Sequence, residues 1–127
     1  MPERLRGIRV VLVEDHDDSR ELLALMLEQC GAEVVSAGSA RTGLQAVLDN
    51  RPDVVVSDLG MPGEDGYWLI REVHTQVGAL PAVAVTGFSD RYHSTQARAA
   101  GFREYLNKPV DPDILCGLVA KVCDRAG

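Results

Sequence analysis

The run VVVSDLGMPGEDGYW, Val54–Trp68, decides how this chain is read. Three valines lead into an aspartate, and Gly, Pro, Glu and Asp crowd the residues after it. A valine run belongs in a core, whereas a carboxylate belongs in water or beside a cation. The run is apolar at successive positions, which marks a strand buried on both faces, as in a parallel sheet. Asp58 then ends that strand, and an open parallel sheet binds its ligands beyond the carboxyl ends of its strands. The stretch Met61–Gly66 reads as a turn, with Pro62 fixing one dihedral and the glycines permitting positive φ.

The same grammar extends in both directions. Residues 8–13 form a β-branched run ending in Glu14-Asp15, followed by the helical spacing of Leu22/Leu23, Met26/Leu27 and Cys30, which Gly31 stops. Asp17 and Asp18 favour the start of that helix through its dipole. A second strand is expected over 32–37, and Ser39 caps a helix with Ala40, Leu44, Val47 and Leu48 on its apolar face. Pro52 ends that helix, and 53–57 is the third strand. Leu69, Ile70 and Val73 mark a third helix, and Pro81 opens a fourth strand over 82–86. The helix expected over 89–100 has few large apolar residues and should be held loosely. Strand five is expected over 102–106. Asp111 and Pro112 open a last helix whose buried face is Ile114/Leu115, Leu118/Val119 and Val122. Five strand–helix units of this kind define a doubly wound α/β fold, a five-stranded parallel sheet with helices on both faces.

Composition narrows the function. A chain of 127 residues is one domain, and 46% hydrophobic with 25% charged residues suits a globular protein. No apolar run approaches the roughly 20 residues of a membrane span, and the start lacks the apolar core of a signal peptide, so the cytoplasm is expected. The net charge of −6 argues against direct nucleic-acid binding, which needs a basic stripe. Cys30, Cys116 and Cys123 are odd in number, lack metal-ligand spacing, and read as small reduced core or flank residues.

The strand ends gather an unusual set of groups. Strand one ends at Glu14-Asp15, strand three at Asp58 and strand four at Thr86, while Lys108-Pro109 follows strand five. Three crowded carboxylates repel one another unless a cation neutralises them. A hard divalent ion such as Mg2+, which takes carboxylate, water and phosphate oxygens, fits. Asp58 would then be a phosphoryl acceptor, since carboxylates form aspartyl phosphates. Lys108 would stabilise charge on the transferring group, and the Thr86 hydroxyl would donate to it.

At this level of detail the chain resembles the receiver domain of two-component response regulators, through VLVEDHDDSR, VVVSDLGMPGEDGYWLI, AVAVTG and EYLNKPVDPDIL. The resemblance covers residues 8–123, leaving 1–7 and 124–127 as tails. It implies a flavodoxin-like receiver fold with strand order 2-1-3-4-5. It also implies a phosphoryl group passing from a phosphohistidine, on a histidine kinase or a histidine phosphotransfer protein, to Asp58. By the same resemblance Glu14, Asp15 and Asp58 bind Mg2+ with the Gly60 carbonyl, Thr86 and Tyr105 form a switch pair, and the Lys108-Pro109 bond is cis. The signal would leave through the face of helix four, strand five and helix five, toward a downstream protein or domain. Such a domain is a phosphoacceptor rather than a turnover enzyme.

Some residues depart from the family pattern. Glu14 stands where aspartate is commoner in the family and reaches further. Gly60 and Phe88, each two residues past a site residue, give no help in orienting an attacking water, so self-dephosphorylation should be slow to moderate. His16, His74 and His93 read as solvated or structural, although His16 beside the acids could titrate. Trp68, off the Leu69/Val73 face, reads as a flank packing residue or as an exposed contact for a partner, the first being favoured. A degenerate receiver serving only as an interaction module is the main rival, and the presence of Asp58 and Lys108 argues against it. A haloacid-dehalogenase-type phosphohydrolase would need a second acid where Gly60 stands. The segments around Asp58 and Lys108 resemble receivers attached to hybrid histidine kinases, which makes a piece of a longer protein the expectation.

Overall fold

The computed structural model describes residues 4–87 and 91–124. Strands and helices alternate: β1 (Arg9–Val13), α1 (Asp17–Gln29), β2 (Glu33–Ala37), α2 (Ala40–Asn50), β3 (Val54–Ser57), α3 (Gly66–Gln76), β4 (Ala82–Thr86), α4 (Arg91–Ala100), β5 (Glu104–Asn107) and α5 (Pro112–Val122). The strands make one sheet in the order β2-β1-β3-β4-β5, and every neighbouring pair is parallel. This is the flavodoxin-like architecture that the strand–helix alternation and the resemblance imply.

Successive strand residues point to opposite faces, so each apolar strand feeds two cores. Val10, Leu12, Val54, Val56, Val83 and Val85 pack with Leu23 and Leu27 of α1 and with Leu115, Cys116 and Val119 of α5. Val11, Val13, Val55, Ala82 and Ala84 pack on the other face with Val47 of α2, Leu69, Ile70 and Val73 of α3, and Ala97 of α4. The valine run of β3 therefore supplies both sides at once, and all four residues of that strand are buried. Helix starts are set locally. The Ser39 side chain accepts from Thr42 N in a capping box, and Asp111 accepts from the backbone of Asp113 and Ile114.

Several boundaries and faces differ from expectation. The strand β2 begins at Glu33, β3 at Val54 and β5 at Glu104. Phe102 does not open the last strand. Its N–H bonds the Ala97 carbonyl at 3.0 Å and its ring is buried against the α3/α4 side, so it closes α4. Leu22 and Ile114, expected on buried faces, are 54% and 51% exposed. Adjacent helical residues lie about 100° apart, so only one of each apolar pair, Leu23 or Leu115, faces the core. Leu5, expected in a tail, is fully buried and donates its N–H to the Cys30 carbonyl at 2.8 Å. An apolar side chain between α1 and α5 removes more surface from water than a free tail would. Ser89, the expected start of the fourth helix, lies outside the described residues. No described helix is long and apolar enough to cross a membrane.

Candidate functional site: an acidic cluster at the strand ends

The sheet itself positions the site. Glu14 N bonds the Ala37 carbonyl at 3.1 Å, Asp58 N the Val13 carbonyl at 3.0 Å, and Lys108 N the Thr86 carbonyl at 2.9 Å. Each functional residue is thus the first one past its strand, with its backbone still tied to the neighbouring strand. Glu14, Asp58 and Thr86 are buried, at 0%, 7% and 1% exposure.

Lys108 bridges the acids. Its ammonium donates to Glu14 Oε1 and to Asp58 Oδ2 at 3.2 Å. Burial alone would lower its pKa, but the hydrogen bond to Glu14 and the charges of Asp58 and Glu14 outweigh this and hold it above its ordinary 10.5. The lysine is therefore charged throughout the physiological range. The peptide bond between Lys108 and Pro109 is cis.

One ammonium does not balance three carboxylates. Asp15 Oδ1 is buried and accepts no hydrogen bond, an arrangement that costs free energy unless a cation faces it. Ligand atoms of Glu14, Asp15, His16 and Asp58 lie within 4.8 Å of one another. Oxygen donors at that spacing, with a net negative charge, fit a hard divalent cation.

The loop after Asp58 is closed by a glycine whose role is space, not dihedral freedom. Gly60 N donates to Asp58 Oδ1 at 3.2 Å, and Gly66 N bonds the Leu59 carbonyl at 3.0 Å. A Cβ at Gly66 would stand 2.2 Å from the Asp58 carbonyl oxygen. Within this loop positive φ belongs to Gly63. Asp65 caps α3 through Trp68 N at 2.9 Å, while Leu59 and Met61 are buried beneath the loop. Trp68 packs partly into the core and carries the Arg41 guanidinium 5.1 Å from its ring.

The structure thus joins Glu14, Asp15, Asp58 and Lys108, and sets Thr86 at the end of the adjacent strand β4. Tyr105 lies apart, half-buried against the α3/α4 side and paired in register with Ala84. Phe88 lies outside the described residues. Two further residues join the cluster, His16, which the sequence placed beside the acids, and Arg20, which it did not single out. His16 Nδ1 stands 3.5 Å from Glu14 Oε2 and 3.4 Å from Asp15 Oδ1, and adjacency to the two acids was the available signal. Arg20 donates to the Glu14 carbonyl at 2.9 Å and to Asp17 at 2.6 Å, fixing the turn that carries both acids. His93 meets the Tyr67 hydroxyl at 3.0 Å, and His74 meets the Leu80 carbonyl at 3.2 Å.

A doubly wound parallel sheet with buried acids and a lysine at its carboxyl edge defines the class of α/β proteins that carry their site beyond the strand ends. Within that class this chain belongs to the response regulator receiver domain family, whose sequence model matches residues 10–120. It is 37% identical over 123 residues to the "Uncharacterized 14.6 kDa protein in sodA1 3'region" of Leptolyngbya boryana, covering 95% of this chain and 94% of that one. It is 34% identical over 116 residues to the C4-dicarboxylate transport transcriptional regulatory protein DctD of Pseudomonas aeruginosa. That match covers 91% of this chain but 25% of DctD. Among solved structures, the CheY-like receiver domain protein of Methanospirillum hungatei JF-1 superposes with a TM-score of 0.86 at 26% identity, over 92% of this chain and 94% of that one. The chain is accordingly a phosphorylation-dependent switch of two-component signalling.

Proposed function

We propose that Asp58 is the phosphoryl acceptor and that residues 8–123 form the receiver unit. The observation that carries this is the Lys108 ammonium shared between Glu14 and Asp58 Oδ2, which leaves Asp58 Oδ1 on the loop side, where it accepts from the Gly60 N–H. In the transfer, the P–N bond of a phosphohistidine breaks as a P–O bond to Asp58 forms, and the imidazole leaves. Lys108 lies where it would balance the negative charge of the incoming group. Glu14, Asp15 and Asp58, with the Gly60 carbonyl, would hold Mg2+, whose role when bound is to neutralise charge on the phosphoryl oxygens. Thr86 and Tyr105 would serve as the switch pair, Thr86 donating to the phosphoryl group and Tyr105 moving inward on the α4 side.

The donor is a histidine kinase or a histidine phosphotransfer protein. A mainly apolar cavity of about 240 Å³, lined by Leu22, Leu23, Met26, Pro109 and Val110 together with Ser19, lies beside Lys108. It gives an apolar partner helix a seat next to the acceptor. Output would pass through α4, β5 and α5 to a downstream protein or domain. The chain acts as an acceptor that slowly loses its phosphoryl group, not as a turnover enzyme.

Incubation with Mg2+ and a small acyl phosphate tests the assignment. Wild type should become labelled and Asp58→Asn should not; equal labelling of both would overturn it. The labelled protein should keep its phosphoryl group for minutes or longer, and loss within seconds would remove the slow-hydrolysis reading of Gly60. A beryllofluoride–Mg2+ complex should shift amide resonances in α4, β5 and α5.

A further inference from the structure

Arg20, in the first turns of α1, reaches back toward the acids. Its N–H bonds the His16 carbonyl at 2.9 Å, and helical side chains lean toward the N-terminus. Two guanidinium nitrogens are used: Nη1 donates to the Glu14 carbonyl at 2.9 Å and Nη2 to Asp17 Oδ1 at 2.6 Å. Only 23% of the side chain is exposed. Gly38, just past the end of β2, makes the room. A Cβ there would stand 3.4 Å from Nη1 and 3.9 Å from Cζ, so a branched side chain would contest the space that the guanidinium fills. These contacts complete the restraint of Glu14. Its N–H is held by the Ala37 carbonyl at 3.1 Å, its carbonyl by Arg20 and its carboxylate by Lys108. The peptide unit is planar, so holding the Glu14 carbonyl oxygen also fixes the N–H and Cα of Asp15. Asp15 Oδ1 accepts no hydrogen bond, so the aim of that carboxylate rests on its backbone.

We propose that Arg20, seated over Gly38, is a positioning residue for the phosphoryl-transfer site: it holds the Glu14–Asp15 peptide in the orientation that turns Asp15 toward Glu14 and Asp58. The proposal rests on the reading of these acids as the Mg2+ site. Arg20 acts through a backbone carbonyl, not on the cation or the phosphoryl group. Arginine suits the task, because its planar fork holds two acceptors at a fixed angle, whereas a lysine ammonium is a point charge without that geometry. Without the guanidinium the part-buried Glu14 carbonyl loses its donor, and the peptide gains freedom to rotate toward water. The cation would then have to order the acids itself, at a cost in affinity. Partners of metal ligands typically change metal affinity by about 10–100-fold when removed.

Calorimetric titration of the full chain with MgCl2, without a phosphodonor, tests this. Arg20→Ala should raise the Kd for Mg2+ by about 10-fold, and Arg20→Lys should fall between it and wild type. Gly38→Val should weaken binding while Arg20 is present, yet add nothing to Arg20→Ala, because both changes act on one contact. With an acyl phosphate, labelling of Arg20→Ala should be slow at limiting Mg2+ and return to the wild-type rate at saturating Mg2+. A lower urea midpoint with unchanged Mg2+ affinity would make Arg20 merely structural and overturn the proposal. Labelling that stays slow at saturating Mg2+ would place Arg20 on the phosphoryl group and overturn it too, as would additive losses from Gly38→Val and Arg20→Ala. If Mg2+ affinity depends on Arg20 and wild type takes no label, the positioning role stands and the acceptor reading of Asp58 fails instead.

Discussion

Helices α4 and α5 flank the same edge strand β5 but are held in different ways. The α5 helix buries Leu115, Cys116, Val119, Ala120 and Val122. Among the described side chains of α4, only Ala97 is buried, and a polar contact from Tyr67 to His93 helps hold the helix to α3. Apolar burial contributes roughly 25 cal/mol per Å², so the described side chains of α4, with Ala97 buried and Ala100 partly so, contribute less than the five buried side chains of α5. Local opening follows local contact density. The contrast assigns anchoring to α5 and yielding to α4, within the proposed output face. A signal arriving at β4 and β5, as the proposed switch pair implies, would meet a helix that can shift with little loss of core.

The strongest way to break this contrast is Leu115→Ala. It should cost about 3 kcal/mol of global stability, read as a lower urea midpoint, because it opens a cavity in the α1/α5 core. A loss confined to α5, with the rest of the domain still protected from hydrogen exchange, would contradict the anchoring role. Tyr67→Phe should cost about 1 kcal/mol. Its loss should appear as faster amide exchange in α4, with α5 unchanged; equal acceleration in both helices would remove the distinction. The smallest effect is expected at Ile114, which is 51% exposed on α5. Ile114→Ser should leave stability within about 0.5 kcal/mol of wild type, and a larger loss would mean that the exposed flank of α5 also anchors.

The parallel sheet and the acids at its edge were legible because successive apolar residues and strand-end acids are local patterns. Val54–Ser57 followed by Asp58 carries both. Helix faces were less legible where apolar residues adjoin: Leu22/Leu23 and Ile114/Leu115 read as pairs, and only the packing of α1 and α5 decides which member turns inward. Phe102 was read as strand because an aromatic beside a β-branched-poor segment carries no sign that its N–H completes α4. Leu5 looked like tail for a similar reason, since its burial depends on Cys30 and α5, distant in sequence. At the site, Asp58, Glu14, Asp15 and Lys108 follow from position, whereas Arg20 and Gly66 act through a backbone carbonyl and an excluded volume. Residue type does not announce either.

Gly66 has a mechanical consequence. Without a side chain there, the first turn of α3 abuts the backbone of Asp58, leaving no slack between that residue and the helix. If Asp58 is the acceptor, as proposed, load generated there would meet a stiff wall on the α3 side and a compliant one on the α4 side. Displacement would then go to the compliant element, so the direction of the response would be set by where the molecule has no give.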